Sequence, residues 1–308
     1  MSREAKLGKS LNTRGRRSSS REYSSQLGDW CWASLLTVLF AAFAGCLQAS
    51  NPNIAKIRNL GGEALIERPS ADGAVTTVSL YRSSVKDSDL TILSAFPKLR
   101  LLNLAETRVS DSGLVALIPL RQLSSLSLAG TPVTDAGLRT IATLGQLREL
   151  NLTGTSVTDV GLGYIARLKN VEALNLAGTR LTNAGLSQLS GFKRLKSLDL
   201  SRTSISDSGL RHLKTLGGLE ALTLRNTNVR GEGFVDLMDL GHLNDLDVWG
   251  SPIGDPGLKK IETLANLRHL NLIDTRATEN GIREITNAIP GLRIIWGSSV
   301  PGGVRQNY

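Results

Sequence analysis

Glycine recurs at positions 113, 137, 161, 185, 209, 233, 257 and 281, each 24 residues after the last. Most of these glycines sit in one string. Asp111-Ser112-Gly113-Leu114 returns in related form at 135–138, 159–162, 207–210 and 255–258, and with Asn183 for Asp at 183–186. Asp89 holds the glycine's place one step earlier, so nine units fill residues 75–290. A register this long confines the chain to a stacked architecture. One 24-residue unit has too little apolar material to make its own core and must share one with its neighbours.

Most units open with Leu-x-x-Leu-x-Leu, as at Leu123, Leu126 and Leu128 or Leu195, Leu198 and Leu200. The last two leucines alternate, which suits a short strand. A hydroxyl residue and an aliphatic one follow, then Ser/Thr-Asp-x-Gly-Leu, then apolar residues at helical spacing such as Leu138, Ile141 and Leu144. The Thr or Asp is placed to cap the new helix by accepting a free backbone N–H. Each unit therefore reads as strand, turn and helix, and stacking joins the strands into a parallel sheet over one leucine core. Only 4% of residues are aromatic, so the core is aliphatic and a base-stacking surface for nucleic acid is not expected.

These units resemble the leucine-rich repeat family over about 216 of the 308 residues. The variety they look most like, with Thr-x-Val-Thr-Asp-x-Gly-Leu units, is found in many exported bacterial proteins. They are also similar to the cysteine-containing repeats of F-box adaptors. Where those adaptors carry Cys, this chain has Ser83, Thr107, Thr131, Thr155, Thr179, Thr203, Thr227, Ser251 and Thr275, and no F-box-like segment precedes the repeats. The resemblance implies an α/β leucine-rich repeat solenoid: a curved horseshoe with a parallel concave sheet, helices on the convex side and a macromolecular partner on the concave face. The hydroxyl row is expected to turn inward and bond the neighbouring turn's backbone. The Asp/Asn column is read as helix caps rather than metal ligands.

Before the repeats, Ile54, Ile57 and Leu60 form an apolar stripe ending at Gly61-Gly62, and Ala64 to Glu67 suit a strand. Residues 53–74 are read as a cap over the first repeat. At the other end, Ile294, Ile295 and Trp296 are expected to close the sheet, with residues 301–308 as a loose tail. The organisation is thus a basic leader (1–29), an apolar segment (30–47), linker and cap (48–74), repeats (75–290) and C-terminal cap and tail (291–308).

The leader holds seven Lys/Arg and three Asp/Glu, and Trp30 to Leu47 contains no charge over eighteen residues. A basic flank before such a run marks export across a membrane with the flank left inside. Phe43-Ala44-Gly45-Cys46 resembles a bacterial lipobox with Cys46 as the lipidated residue. Ala42-Phe43-Ala44 also fits signal cleavage, and the run is long enough to remain as an anchor. The expected location is outside a bacterial cytoplasm, membrane-anchored, periplasmic or on the cell surface. The remaining chain carries 29 basic and 24 acidic residues, an ordinary soluble surface, so nucleic acid is not an expected partner.

Outward strand positions are small and neutral in the early repeats, as at Ser125, Ser127 and Ala129. From Asp199 onward they turn charged and bulky. Asp199, Arg225, Asp245, Asp247, Trp249, His269 and Asp274 fall within four strands, a patch about 15 Å wide at about 4.8 Å per strand. A Trp beside an Arg is a common interaction anchor; the two also suit simple stacking on each other. Because these side chains point away from the leucines, the fold is expected to tolerate their loss.

Asp245 and Asp247 share a side at about 7 Å, a spacing compatible with paired carboxylates in glycoside hydrolysis. An open sheet face gives no desolvated pocket to separate their acidities. The chain has no GxSxG, HExxH, P-loop or dinucleotide fingerprint. Cys31 and Cys46 both precede the repeats, which excludes a disulfide or Cys-based zinc site within them. The sequence therefore reads as an exported, non-enzymatic scaffold without cofactor or metal, which binds a protein or surface ligand through its concave face. The alternatives are an intracellular F-box-like adaptor and a carbohydrate-acting enzyme using Asp245 and Asp247.

Overall fold

Each Leu-x-Leu pair places a leucine inward from the middle of a three-residue strand, and stacking brings equivalent leucines into register. In the computed structural model, which describes residues 52–65, 74–299 and 304–306, Leu126 lies opposite Leu102 on one side and Leu150 on the other. The leader, the apolar run and Cys46 lie outside the described residues.

The strands are β1 (Glu63–Leu65), β2 (Thr77–Ser79), β3 (Leu101–Asn103), β4 (Ser125–Ser127), β5 (Glu149–Asn151), β6 (Ala173–Asn175), β7 (Ser197–Asp199), β8 (Ala221–Thr223), β9 (Asp245–Asp247), β10 (His269–Ile273), β11 (Arg293–Gly297) and β12 (Val304–Gln306). They form one sheet in chain order. From β2 to β11 every pairing is parallel, whereas β1 and β12 run antiparallel at the two edges. Short edge strands of opposite direction blunt a sheet against further pairing. Residues 304–306 thus correct the expectation of a loose tail: they pair with Ile295–Gly297, and Arg305 forms an ion pair with Glu279. Backbone pairing needs no apolar pattern, which is why the segment carried no signal.

At the N-terminus, the helix Pro52–Asn59 buries Ile54 and Ile57 and so covers the open end of the leucine core. Behind the sheet the segments are of two kinds. Asp135–Ile141, Asp159–Ile165, Asp207–Leu210, Asp255–Ile261 and Glu279–Ala288 are α-helical. Asp87–Ala95, Gly113–Leu117, Gly185–Gly191, Arg211–Thr215 and Glu232–Leu237 are 3-10 turns. Three of the α-helices begin at a Thr cap, where Thr134, Thr158 and Thr278 accept the backbone N–H of Ala136, Val160 and Gly281. The core between the layers is almost wholly Leu, Ile and Val, with Phe192 and Phe234 as its fully buried aromatics among the described residues.

Two columns act differently from their sequence reading. The hydroxyls do turn inward, and all but the part-buried Ser83 and Thr275 are buried. However, Thr107, Thr131, Thr155, Thr179, Thr203, Thr227 and Thr275 donate to the carbonyl three residues back in their own turn. Ser251 alone among the described members of that row reaches a neighbouring turn, donating to the Leu224 carbonyl. The acidic column does the inter-turn bonding. Asp135 accepts the Thr158 N–H at 2.8 Å and the Thr158 hydroxyl at 2.6 Å, and Asp87, Asp111, Asp159 and Asp255 repeat the pattern. Each Asp therefore holds the Ser or Thr that precedes the following turn's helical segment, not its own helix, and at Thr134, Thr158 and Thr278 that residue is the N-cap. The 24-residue glycine exists to make room: a Cβ on Gly161 would lie 3.0 Å from the Asp135 Cγ.

A further column leaves the strands in left-handed backbone. Residues 82, 106, 130, 154, 178, 202, 226, 250 and 274 all have φ between 52° and 69°. Four are glycine, while Arg82, Glu106, Arg202, Asn226 and Asp274 hold the conformation with a side chain, at a cost of about 1–2 kcal/mol each before local compensation.

Candidate functional site

The outward residues of β7 to β10 and the turns after them bring the sequence-nominated group together, but in layers. Asp247 forms the base. Its Oδ1 accepts the backbone N–H of Trp249 at 3.0 Å, closing a tight turn at the end of β9. Its Oδ2 accepts from Arg225 Nη2 at 2.7 Å and Nε at 2.8 Å, and from Asn271 Nδ2 at 2.9 Å. The residue is 1% exposed. This corrects its placement as a surface contact: alternation along the strand gave the side correctly, but the flanking Arg225 and Asn271 close over the carboxylate.

Above that base, the Arg225 guanidinium stands 5.6 Å from the centre of the Trp249 ring. The indole Nε1–H donates to Asp274 Oδ2 at 2.8 Å, and Asp274 Oδ1 accepts the Ser299 N–H at 2.8 Å. Burial of Asp274 is outweighed by hydrogen bonds from the Ser299 side chain, the Trp249 indole and the Ser299 N–H, which hold its carboxyl below the usual range. Trp249 is thus fixed from both ends, by a cation over its face and an anion at its edge. The same wiring overturns the expected tolerance to loss of Arg225, since removing it strands a buried carboxylate, and breaking a buried pair costs about 3–5 kcal/mol.

Asp245 lies beside this network and outside it. Burial, and then repulsion from Asp247, push its carboxyl up to about 6, with Arg225 opposing. Its ion-pair contact among the described residues is His269 Nδ1 at 3.8 Å, longer than a hydrogen bond. Burial and the nearby Arg293 push His269 below its usual value, which disfavours a full positive charge beside Asp245. Asp199, on β7, is raised chiefly by burial while it accepts the Ser201 N–H and hydroxyl and the Asn175 amide.

The pair Asp245 and Asp247 is not arranged as two free carboxylates, because both Asp247 oxygens are committed to Trp249, Arg225 and Asn271. Among the described residues no group of three or more His, Cys, Asp or Glu is placed to hold a metal ion. None of their helices is long and apolar enough to cross a membrane. Sequence reasoning missed three participants. Asn271 stands in the same outward column one strand on, a signal that was available. Ser299 lies beyond the repeats and contributes both its backbone N–H and its side chain to Asp274. Glu149, on β5, is half-buried, accepts the Ser125 hydroxyl at 2.9 Å and is raised by burial.

Family models described as "Leucine rich repeat" match residues 145–205, and residues 97–117 and 195–216. Comparison with curated proteins finds no match. Among solved structures the chain is similar to internalin C2 of Listeria monocytogenes, at 22% identity and a TM-score of 0.51, over 80% of this chain and 93% of that one. It is also similar to a leucine-rich repeat protein of Leptospira interrogans at 21% identity and a TM-score of 0.50, over 67% of this chain and 56% of that one. A plant peptide hormone receptor solved with the peptide RGF2 matches at 19% identity and a TM-score of 0.50, over 76% of this chain and 41% of that one. With a parallel sheet in 24-residue register, a leucine core and convex helical turns, the fold is an α/β leucine-rich repeat horseshoe.

Proposed function

We propose that the protein is an exported, membrane-tethered or secreted scaffold without catalytic activity, which binds a protein partner through the concave face of β7 to β10. The observation that carries this reading is the pre-built Arg225–Trp249–Asp274 array. An aromatic already locked in one orientation loses little entropy on binding, and interface energy concentrates in such anchors. Asp245 adds a chemical preference: a half-buried carboxylate that burial and Asp247 raise more than Arg225 lowers it gains most from a Lys or Arg of the partner. The plant receptor, solved with a peptide, is a precedent for ligand capture on this fold. The basic leader and uncharged run support export, and Cys46 is the proposed lipidation position.

The test is a pull-down with the full chain followed by affinity measurement. Trp249→Ala should weaken the recovered partner by about 2 kcal/mol, roughly thirtyfold. Arg225→Ala needs Asp247→Asn in the same chain, so that a lost fold is not mistaken for a lost contact. Ser127→Ala on the early repeats should leave affinity alone. Unchanged binding by Trp249→Ala together with loss on the early repeats would place the surface elsewhere.

A further inference from the structure

Because every connection between the parallel strands runs the same way round, the loops leading into β3 to β8 line up on one lateral edge. These loops, residues 94–100, 118–124, 142–148, 166–172, 190–196 and 214–220, hold ten Lys/Arg against two Asp/Glu. All ten are exposed, among them Arg100, Arg121, Lys169, Lys193, Arg194 and Lys214. The two acids, Glu172 and Glu220, are already matched by Arg148 at 2.7 Å and Lys196 at 3.5 Å. The opposite edge of the same turns, residues 82–88, 106–112, 130–136, 154–160, 178–184 and 202–208, carries five Lys/Arg and six Asp/Glu. One edge therefore bears an excess of positive charge larger than that of the whole domain.

Helix ends do not explain the stripe. Cations favour the last turn of a helix, yet of these ten residues only Lys214 lies in one. Nor does base recognition, since the aromatic residues in these loops, Phe96 and Phe192, are both buried in the core and leave nothing to stack on a base. The stripe extends over six turns, about 24 Å at the strand spacing, which suits an extended anionic plane better than a small ligand.

The chain itself points to which plane. The uncharged run ends at Leu47 and the cap helix begins at Pro52, so the connection between them spans at most about 18 Å. If the run is seated in a bilayer, the first turn of the solenoid is held close to its surface. We propose that the basic edge lies against anionic lipid headgroups and so sets the solenoid on its side, with both faces of the sheet standing off the membrane and the Trp249 patch open to a partner. The orientation rests on the membrane-tethered form of the function proposed above, and the edge's charge stands independently of it.

The full chain, mixed with vesicles of phosphatidylcholine alone or with a third phosphatidylglycerol, is floated and then footprinted with an amine-acetylating reagent read lysine by lysine. Flotation with neutral vesicles tests the tether. The edge is tested separately: Lys169, Lys193 and Lys196 should be acetylated at least threefold more slowly on anionic than on neutral vesicles, with Lys86 and Lys259 unchanged. High salt, or the combined change Lys169→Glu, Lys193→Glu and Arg194→Glu, should abolish the difference without lowering flotation of a tethered chain. Should the chain fail to float with neutral vesicles, the tether is refuted, and recovery on anionic vesicles with the same protection still supports the edge. Equal protection of Lys86 and Lys259, no protection anywhere, or protection by a double-stranded oligonucleotide but not by anionic vesicles overturns the proposal.

Discussion

Replacing Gly161 with Ala tests whether the glycine column exists to seat the preceding turn's carboxylate. Gly161 lies in the helix Asp159–Ile165, where Ala is intrinsically better by about 1 kcal/mol, so propensity alone predicts a gain. The structure predicts a loss. The new Cβ would fall 3.0 Å from both the Asp135 Cγ and the Leu138 Cδ1, and closer still to the Asp135 Oδ1, well inside an ordinary carbon contact of about 3.5–4.0 Å. The leucine methyl has room to rotate, whereas the carboxylate is fixed by the Thr158 N–H and hydroxyl. Displacing it sacrifices two bonds to a charged acceptor, about 1.5 kcal/mol each at the low end of such bonds, which leaves a net cost of about 2 kcal/mol. In an Asp135→Ala background the obstacle is gone, and Gly161→Ala should be neutral or stabilising by up to about 1 kcal/mol. Urea unfolding of the four proteins closes a double-mutant cycle, with an expected coupling of about 2–3 kcal/mol at constant m. Costs that add within about 0.5 kcal/mol, or a single Gly161→Ala that gains stability, would refute the reasoning.

The raised Asp245 carboxyl makes a signed prediction. Its pKa is about 6 in the fold against an ordinary 3.8, so between those values the folded chain binds the proton that the unfolded chain releases, and its contribution to stability falls as pH rises from about 4 to 6. At about 1.4 kcal/mol per unit, Asp245→Asn should stabilise the protein by roughly 2–3 kcal/mol at pH 8 and by little at pH 4; an Asn variant no more stable than the parent at pH 8 contradicts this. The left-handed column makes another: Arg202 has φ of 54°, so Arg202→Gly should raise stability by about 1 kcal/mol and Gly154→Ala lower it by a similar amount. Denaturant midpoints check both, and a destabilised Arg202→Gly would mean that the side chain contributes more than its backbone strain costs.

The architecture was legible because it is written in a period. The alternating Leu126 and Leu128, repeated 24 residues later at Leu150 and Leu152, determine inward and outward sides, parallel order and an aliphatic core without any long-range information. The inward turn of the hydroxyl row and the gathering of Arg225 and Asp274 beside Trp249 follow from the same count. What the count lacked was depth and partner. Asp247 and Asp245 have the same residue type on the same side of one strand, yet one is sealed beneath Arg225 and Asn271 while the other remains half-open and is raised toward neutrality. Asp135 looked like a cap for its own helix and holds the next turn's Thr158 instead. Residues 304–306 carry no apolar pattern and still add a strand, because main-chain pairing asks only for an open edge. Periodicity is a property of one unit read along the chain, whereas burial, hydrogen-bond partners and acidity at each position depend on what the adjacent turn places against it. That contact exists only once the turns are stacked.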